Sequence, residues 1–474
     1  MSIGNMSKGM FRHHLALKAG KAAAVATRLS RRGGGTALPG LIALSVAPDV
    51  VARLSRQLKG GLIVVSGTNG KTTTCRILDT LLSRAGWLPI RNTAGSNMMR
   101  GITSSLIART GFLGRMPPGE SLVGLFEVDE AALPGVLEAV DARQVLLLDL
   151  FRDQLDRYGE VATVARLWRD ALKRLGPTTL LVANADDPLV ANVALESGLP
   201  TCFFGIEVAP LPGVPGHAGD VKACPRCGSE ISYMSVVFGH LGAYACTKCD
   251  FSRPALEVCA RNIDDAGMSG SSFTLRAGKT ESNVSLPLPG LYNVYNALGA
   301  AAIAAARGMP ADGIARSLEM VTPAFGRMEC LDIRGRSVYL ALAKNPAGLN
   351  EVLRTVLHGG EPLHLLAMLN DKTADGHDVS WIWDSDVEML AQHVESVVFS
   401  GTRAEDIALR FKYALALPAD DSWWIDRDSR KAFEIALSST PHGGTLYIVP
   451  TYTAMLDVRG VLARLGHVKT YWEG

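Results

Sequence analysis

The chain lacks long hydrophobic runs, a large excess of either charge, and a dense set of cysteines. No stretch approaches the roughly 18 unbroken apolar residues of a transmembrane helix, and no signal-peptide core surrounds Arg31 and Arg32, so we expect a cytoplasmic protein. The 48 basic and 46 acidic residues leave a net charge of +2, which gives no electrostatic reason to expect a nucleic-acid partner. Eight cysteines in 474 residues are too few for a disulfide scaffold.

Acidic residues are also absent from the first 48 positions, although seven basic residues occur between Lys8 and Arg32. The Ala/Leu-rich stretch 15–29 predicts a basic amphipathic helix. Such a helix either packs on the body of the protein or makes a peripheral contact with the inner face of the membrane. Its apolar face is mostly alanine, which favours packing.

The most informative segment present is 62–75, where an apolar run leads into a glycine loop and then a helix that begins at Lys71. Gly67 and Gly70 allow backbone N–H groups to turn toward an anion, and the helix N-terminus adds partial positive charge. Lys71 is positioned to reach the outer phosphates of a nucleotide, and the Thr72 hydroxyl can hold magnesium. This pattern predicts nucleotide binding and hydrolysis, in a short form of the loop that has Val65 where the standard form has glycine.

Strands alternate with helices after this loop, which predicts an α/β fold with a parallel sheet and helices on both faces. Polar residues lie at or next to the ends of the predicted strands 121–128, 144–150 and 179–183, where ligands of such sheets gather: Glu127, Asp129, Asp149 and the group 184–187. A second strand-helix series without a glycine loop runs from Ser337 to the end. We therefore predict a basic N-terminal segment (1–60), a central nucleotide-binding domain (61–328) and a C-terminal α/β domain (329–474).

Two C-x-x-C pairs separated by 18 residues predict a metal site: Cys224, Cys227, Cys246 and Cys249. Four thiolates at this spacing close a tetrahedral zinc site with no open position, so the metal would be structural. An iron–sulfur cluster and unligated thiols are the alternatives. We interpret the segment from about 205 to 255 as a zinc ribbon inserted in the central domain.

Several motifs resemble the ATP-binding middle domain of the Mur ligases and folylpolyglutamate synthases. They are the glycine loop 67–72, the strand end 127–130, and the segments 184–188, 290–296 and 326–327. Longer motifs narrow the resemblance to the MurT family, the ligase-like subunits of lipid II isoglutaminyl synthases: 151–160, the four-cysteine ribbon, 343–348 and 369–384. The resemblance runs from about Leu38 to the end, and only some sixty residues stand where other Mur ligases have a domain that holds a UDP-sugar.

This resemblance implies a Mur ligase-type P-loop central domain and a Rossmann-like C-terminal domain. It also implies an ATP- and Mg²⁺-dependent amidation of the α-carboxylate of D-glutamate in the lipid II stem peptide, through an acyl phosphate, to give D-isoglutamine. Ammonia would come from a GatD-like glutaminase subunit that forms a heterodimer with the chain. No glutaminase nucleophile elbow, Gly-x-Cys-x-Gly, occurs in the chain itself.

The resemblance also implies roles for individual residues. Thr72 and Glu127 would bind magnesium, and Asp378 would complete the Cys-His pair of the glutaminase, with Asp375 as the competing candidate. Lys71 and Glu127 would take part in catalysis. The residues that would contact the nucleotide are Gly67, Thr68, Asn69, Gly70, Lys71, Thr72, Thr73, Asn296 and Arg327.

Four positions depart from the Mur ligase pattern. Asp149 stands where we expect asparagine, Gln154 and Tyr158 stand where Mur ligases have histidine, and Ala341 stands where they have the aspartate that binds the ribose. Two other functions remain open: a stand-alone amino-acid ligase of the Mur or folylpolyglutamate type, and a zinc-ribbon ATPase module that binds nucleic acid or acts as a scaffold.

Overall fold

The computed structural model describes residues 3–29, 37–92, 96–111, 114–118, 121–153, 161–207, 219–265, 267–323, 326–360, 362–415 and 423–468. Within these ranges, every helix is too short or too polar to span a lipid bilayer. The first three elements are helices that precede the central sheet: α1 (Ile3–Leu29), α2 (Leu38–Val46) and α3 (Val50–Ser55).

The predicted basic helix is α1, and it packs on α2 and on a helix of the central domain. Ala16, Leu17 and Ala23 are buried in this contact, as the alanine-rich face predicts. Lys21 Nζ donates to Thr110 O over 2.6 Å, which adds a polar tie to the body of the protein. Contact of α1 with a membrane stays a prediction.

The central domain is built on a nine-stranded sheet in the order β11-β10-β9-β6-β5-β4-β1-β3-β2. The strands from β2 to β9 in this order pair in parallel, and β9, β10 and β11 pair antiparallel. The strands of this sheet are β1 (Leu62–Ser66), β2 (Leu88–Arg91), β3 (Leu122–Glu127), β4 (Gln144–Leu147), β5 (Leu180–Asn184), β6 (Thr201–Ile206), β9 (Val258–Asp265), β10 (Ser271–Ala277) and β11 (Thr280–Leu286).

Helices cover both faces of this sheet and form two hydrophobic cores. One core contains the helix Leu291–Ala306, which is rich in alanine and buries most of its length against the strands. The other contains the N-terminal helices and the fully buried Trp168. The helices of this domain are α4 (Lys71–Arg84), α5 (Met99–Arg109), α6 (Leu133–Ala139), α7 (Val161–Leu172), α8 (Pro188–Ser197), α9 (Leu291–Ala306) and α10 (Ala311–Leu318).

Two strands that lie between β6 and β9 in the chain form a separate antiparallel hairpin, β7 (Ile231–Phe238) and β8 (Leu241–Cys246). The hairpin lies inside the segment that we interpret as an inserted ribbon. Strand β4 ends at Leu147, before the end of the predicted strand 144–150, and the backbone N–H of Leu150 beyond it donates to the Asp187 side chain.

The C-terminal domain has a six-stranded sheet in the order β12-β13-β17-β14-β15-β16, in which only β12 is antiparallel to its neighbour. Its first strand begins at Arg327, two residues before the predicted boundary at 329. Its strands are β12 (Arg327–Ile333), β13 (Arg336–Ala341), β14 (Leu363–Met368), β15 (Val394–Ser400), β16 (Trp423–Ile425) and β17 (Thr445–Pro450). Its helices are α11 (Pro346–Leu357), α12 (Ala404–Leu415), α13 (Ser429–Ser439) and α14 (Tyr452–Arg464).

Candidate functional site

The glycine loop lies between β1 and α4, as the sequence predicts. Gly67 has φ +150° and Gly70 has φ +80°, a region that side chains rarely adopt. A Cβ at Gly70 would lie 1.9 Å from Asn296 Oδ1, so glycine is also needed for the close approach of α9. The loop therefore combines a turn of the backbone with the N-terminus of α4, which is the geometry of an anion site.

Lys71 is buried at the start of α4 and points back into the loop. Its Nζ contacts the carbonyl oxygens of Gly67 and Thr68 and pairs with Glu130 Oε2 at 2.8 Å. Burial by itself lowers the pKa of Lys71, but attraction to Glu130, Glu127 and Asp129, together with the hydrogen bond to Glu130, outweighs burial and raises the net pKa. Lys71 in turn lowers the pKa of Glu130 against the opposing effect of burial, so both groups stay charged.

Glu130 is a site residue that the sequence analysis missed. It falls within the motif 127–130, and its backbone carbonyl accepts a hydrogen bond from the Trp168 indole at 2.8 Å. The signal that could have found it is the run of three acids, Glu127, Asp129 and Glu130, at the end of the strand next to the glycine loop.

Thr72 and Glu127 form the second polar pair at the loop. Thr72 Oγ1 donates to Glu127 Oε2 over 2.9 Å, and Glu127 lies opposite Val65 in the parallel pairing of β1 and β3. The Asn92 side chain holds the backbone on both sides of this position by accepting from Glu127 N and donating to Glu127 O. A hydroxyl and a carboxylate in contact are the oxygen ligands that Mg²⁺ prefers.

A cleft between the two sheets leads from the loop to the C-terminal domain. It contains about 810 Å³ of atom-free space, part of it open to solvent. Asn69, Gly70, Thr73, Asn296 and Arg327 line it, so five of the predicted nucleotide residues face one space. Burial lowers the pKa of Arg327, and attraction to the nearby Glu127 opposes this shift. The guanidinium remains a cation.

The C-terminal domain contacts the loop directly. Asn345 Nδ2 donates to Asn69 Oδ1 over 3.0 Å, and Lys344 Nζ forms an ion pair with Asp153. Asn345 also caps α11, because its Oδ1 accepts from Gly348 N at 2.7 Å. The start of α11 is therefore fixed beside the glycine loop.

Asp149, which replaces an expected asparagine, is a structural partner of the loop. Its Oδ1 accepts from Asn69 N at 2.7 Å, and its backbone oxygen accepts from Thr68 N at 3.0 Å. Burial, helped by repulsion from Asp187, raises the pKa of Asp149 to about 7. The other two departures that we noted in this region, Gln154 and Tyr158, lie outside the described residues.

Asp378 and Asp375 occupy opposite environments on one loop. Asp375 is buried, and its carboxylate accepts from both the backbone N–H and the hydroxyl of Thr453. Asp378 is exposed, and its Oδ1 accepts from Ser380 N at 2.8 Å. Hydrogen bonds from the side chain and the backbone of Ser380 lower the pKa of Asp378. Asp378 is therefore the ionised carboxylate of the two that solvent or another molecule can reach.

The four cysteines of the ribbon come together at the end of the β7–β8 hairpin. Their sulfur atoms all lie within 4.8 Å of one another, with 3.7 Å between Cys224 and Cys249 and 3.5 Å between Cys227 and Cys246. Backbone N–H groups of Lys248 and Cys249 point at the sulfur of Cys246. This arrangement can hold a metal ion with four sulfur ligands.

The ribbon is tied to the loop that follows β5. Tyr244 donates its hydroxyl to Ala185 O over 3.1 Å, and Arg253 pairs with the buried Asp186 at 3.0 Å. The same Asp186 accepts from the Tyr295 hydroxyl on α9 at 2.7 Å. The ribbon is thus joined to the central sheet and to the helix that carries Asn296.

Two family models match the chain. The model described as "Mur ligase middle domain" matches residues 65–210, which include the glycine loop, and "MurT ligase C-terminal" matches residues 342–455, which include Asp378. The fold and the loop thus define a ligase of the Mur type.

Comparison with curated relatives shows to which family of Mur-type ligases the chain belongs. The chain is 31% identical to the lipid II isoglutaminyl synthase (glutamine-hydrolyzing) subunit MurT of Streptococcus pneumoniae strain R6, over 92% of this chain and 94% of the relative. It is also 31% identical to the subunit of the same name from Staphylococcus aureus strain N315, over 93% of this chain and 96% of the relative. The chain belongs to the MurT family, and the predicted family and fold class are confirmed.

Solved structures show the same fold at lower identity. A pseudomurein peptide ligase type C from Methanothermus fervidus superposes with a TM-score of 0.66 at 22% identity, covering 87% of this chain and 80% of that one. The Mycobacterium tuberculosis folylpolyglutamate synthase superposes with a TM-score of 0.59 at 17% identity, covering 94% of this chain and 98% of that one.

Proposed function

We propose that this chain is the synthetase subunit of a lipid II isoglutaminyl synthase, the enzyme for which its MurT relatives are named. It would use ATP to convert the α-carboxylate of D-glutamate in the lipid II stem peptide into an acyl phosphate. Ammonia would then displace phosphate and leave D-isoglutamine. The observation that carries this proposal is the glycine loop, which lines the cleft through Asn69 and Gly70 and leads directly into Lys71 and the Thr72–Glu127 pair.

The chain supplies charge and position for this reaction. A carboxylate is a poor electrophile, and phosphorylation gives it a leaving group. The N–H groups of the loop would hold the phosphates, and Lys71 and Arg327 would offset negative charge on the transferred phosphoryl group. Magnesium, when bound by Thr72 and Glu127, would neutralise phosphate charge.

We propose that Asp378 completes the active site of a GatD-like glutaminase in a heterodimer. An aspartate that orients the histidine of a Cys-His pair must be ionised and must be within reach of the partner. Asp378 is exposed and its pKa is lowered, whereas Asp375 is buried and its carboxylate is engaged by Thr453. This contrast supports Asp378 over Asp375.

We propose zinc as the metal of the ribbon. A tetrahedral site with Zn–S bonds of about 2.3 Å has edges of about 3.8 Å, close to the two sulfur separations of 3.5 and 3.7 Å. Because all four positions would be filled by thiolates, the metal would be structural. An iron–sulfur cluster is the alternative, and metal analysis of the purified chain distinguishes them.

The proposed substrate is carried by a membrane lipid, so the complex would act at the cytoplasmic face of the membrane. The basic helix α1 leaves Phe11, Leu15 and Val25 exposed, and we propose it as the segment that contacts the membrane surface. Binding of the full chain to anionic vesicles, compared with a Phe11→Ser variant, tests this contact. Equal binding by both chains would contradict it.

The test of the proposed function is a mass-spectrometric assay of lipid II amidation with ATP and Mg²⁺. One arm contains ammonium and the chain alone, and the other contains glutamine and a co-expressed glutaminase subunit. We expect amidation with ammonium, and use of glutamine only with the partner. No product in either arm, together with phosphate release that depends on an added amino acid, would favour the stand-alone ligase instead.

A further inference from the structure

Glu351 is a buried acid that the proposed mechanism does not use. It lies on α11, whose first turn Asn345 fixes beside the glycine loop, and it lines the same cleft as Asn296 and Arg327. Only 6% of its surface is exposed. An acid at such a position is costly to keep unless polar groups compensate its charge.

The compensation within the chain is incomplete. Glu351 Oε1 accepts a hydrogen bond from Arg354 at 2.6 Å, while Oε2 has no hydrogen-bond partner among the described residues. Burial raises the pKa of Glu351 to about 7, although Arg354 opposes this shift. A ligand that donates a hydrogen bond to Oε2 would therefore satisfy a group that the fold leaves half-satisfied.

Few carboxylates in the cleft can accept a hydrogen bond from a bound nucleoside. Its described lining contains two acidic residues, Asp149 and Glu351, and Asp149 is already engaged by the N–H of Asn69. Strand β13 ends at this cleft in Ala341, followed by the apolar Leu342, and both line it. No carboxylate at that strand end can accept from a nucleoside.

We propose that Glu351 accepts a hydrogen bond from the nucleoside of bound ATP and selects for that donor. This inference rests on the proposed function, because it takes the cleft to be the nucleotide site. Two donors fit the chemistry, a ribose hydroxyl and the adenine amino group. The carboxylate oxygen would contribute only when the matching donor is present, so Glu351 would set specificity as well as affinity.

The test is calorimetric binding of ATP, 2′-deoxyATP, 3′-deoxyATP and ITP to the full chain with Mg²⁺, for wild type and Glu351→Gln. Glutamine keeps the size of the side chain, and its oxygen can still accept from Arg354, which turns its NH₂ group toward the nucleoside donor. We expect ATP affinity to fall about 10- to 100-fold, the effect of losing a hydrogen bond to a charged group. Glu395→Gln, which changes an exposed acid outside the cleft lining, should bind as wild type does.

Specificity decides the outcome. In wild type, the analogue that lacks the donor should bind about 10-fold or more weakly than ATP, and in Glu351→Gln it should bind as well as ATP does. A loss with a deoxy analogue identifies the ribose, and a loss with ITP identifies the adenine amino group. The proposal would be overturned if the ratios of affinity among the four nucleotides were the same in Glu351→Gln as in wild type, even if all four affinities fell. A wild-type chain that binds no ATP would instead refute the proposed function.

Discussion

The glycine loop and the loop of Asp378 differ in how many contacts the rest of the chain makes to their functional side chains. Lys71 is buried and held by two backbone carbonyls and by Glu130, and Thr72 is held by Glu127. Asp378 is exposed and has one backbone N–H from Ser380 on its carboxylate. A site that binds a small molecule must be organised in advance, whereas a residue that serves a partner has to stay accessible.

The two regions should therefore respond differently to substitution. Changes at the glycine loop should affect every reaction of the chain and also its stability. Changes at Asp378 should affect only the reaction that needs the partner.

The largest effect is expected from Lys71→Ala, which should abolish amidation with either ammonium or glutamine, by about 10³-fold or more. The measurement is the mass-spectrometric assay with both nitrogen sources. The substitution also leaves Glu130 as a buried unpaired charge, which costs about 3 to 5 kcal/mol. Lys71→Ala with Glu130→Gln removes that charge and should remain inactive while regaining stability; recovery of activity would show that Lys71 acts only through folding.

Asp378→Asn should lower glutamine-dependent amidation by about 10²- to 10⁴-fold and leave the ammonium-dependent rate unchanged, because only the histidine of the partner loses its orienting charge. The ratio of the two rates is the measurement. Asp375→Asn is the matched control, and it should lower the melting temperature without changing that ratio, since its carboxylate holds Thr453. A selective loss in the Asp375 variant alone would exchange the two assignments.

Removal of the proposed zinc tests whether the ribbon supports the glycine-loop domain. Cys227→Ser should reduce the bound metal, measured by mass spectrometry of metals, and lower the free energy of unfolding by several kcal/mol. Because the ribbon is joined to Asp186, and through it to α9, ATP affinity should fall too. Cys330→Ser, which changes an exposed cysteine outside the cluster, is the control. Unaltered stability of the Cys227 variant would contradict a structural metal.

The smallest effect is expected from Asp149→Asn. An unfolded aspartate ionises near pH 3.8 and the folded Asp149 near 7, so the folded state binds more protons between these values. The stability of the wild type should therefore fall as pH rises from about 4 to 7, and the variant should lack this fall. At pH 8 the variant should be more stable by about 1 to 4 kcal/mol, and at pH 4 nearly equal, as urea unfolding would measure. A constant difference across this range would contradict the raised pKa.

Much of the site was predictable because its residues are close in sequence. The strand, the loop and the helix that begins at Lys71 follow from local rules of φ angles and helix termini. The two C-x-x-C pairs likewise predict a cluster, since each pair brings two sulfurs onto one turn. Glu130 and Glu351 were missed because their surroundings depend on contacts across the fold. Lys71, the partner of Glu130, lies 59 positions away in the chain, and Glu351 lines a cleft that residues of both domains form.

The sequence by itself determined which residues can do chemistry: the glycine loop, the magnesium ligands that we propose, the four cysteines and the acidic loop of Asp378. The tertiary structure decided which of those residues are free to act. It buried Asp375 against Thr453 and left Asp378 exposed, although the two lie three residues apart. It also brought Asn345 of the C-terminal domain into contact with Asn69, and within the described residues it left Glu351 Oε2 without a hydrogen-bond partner. Burial and hydrogen-bond satisfaction depend on contacts between distant segments, and no local pattern encodes them.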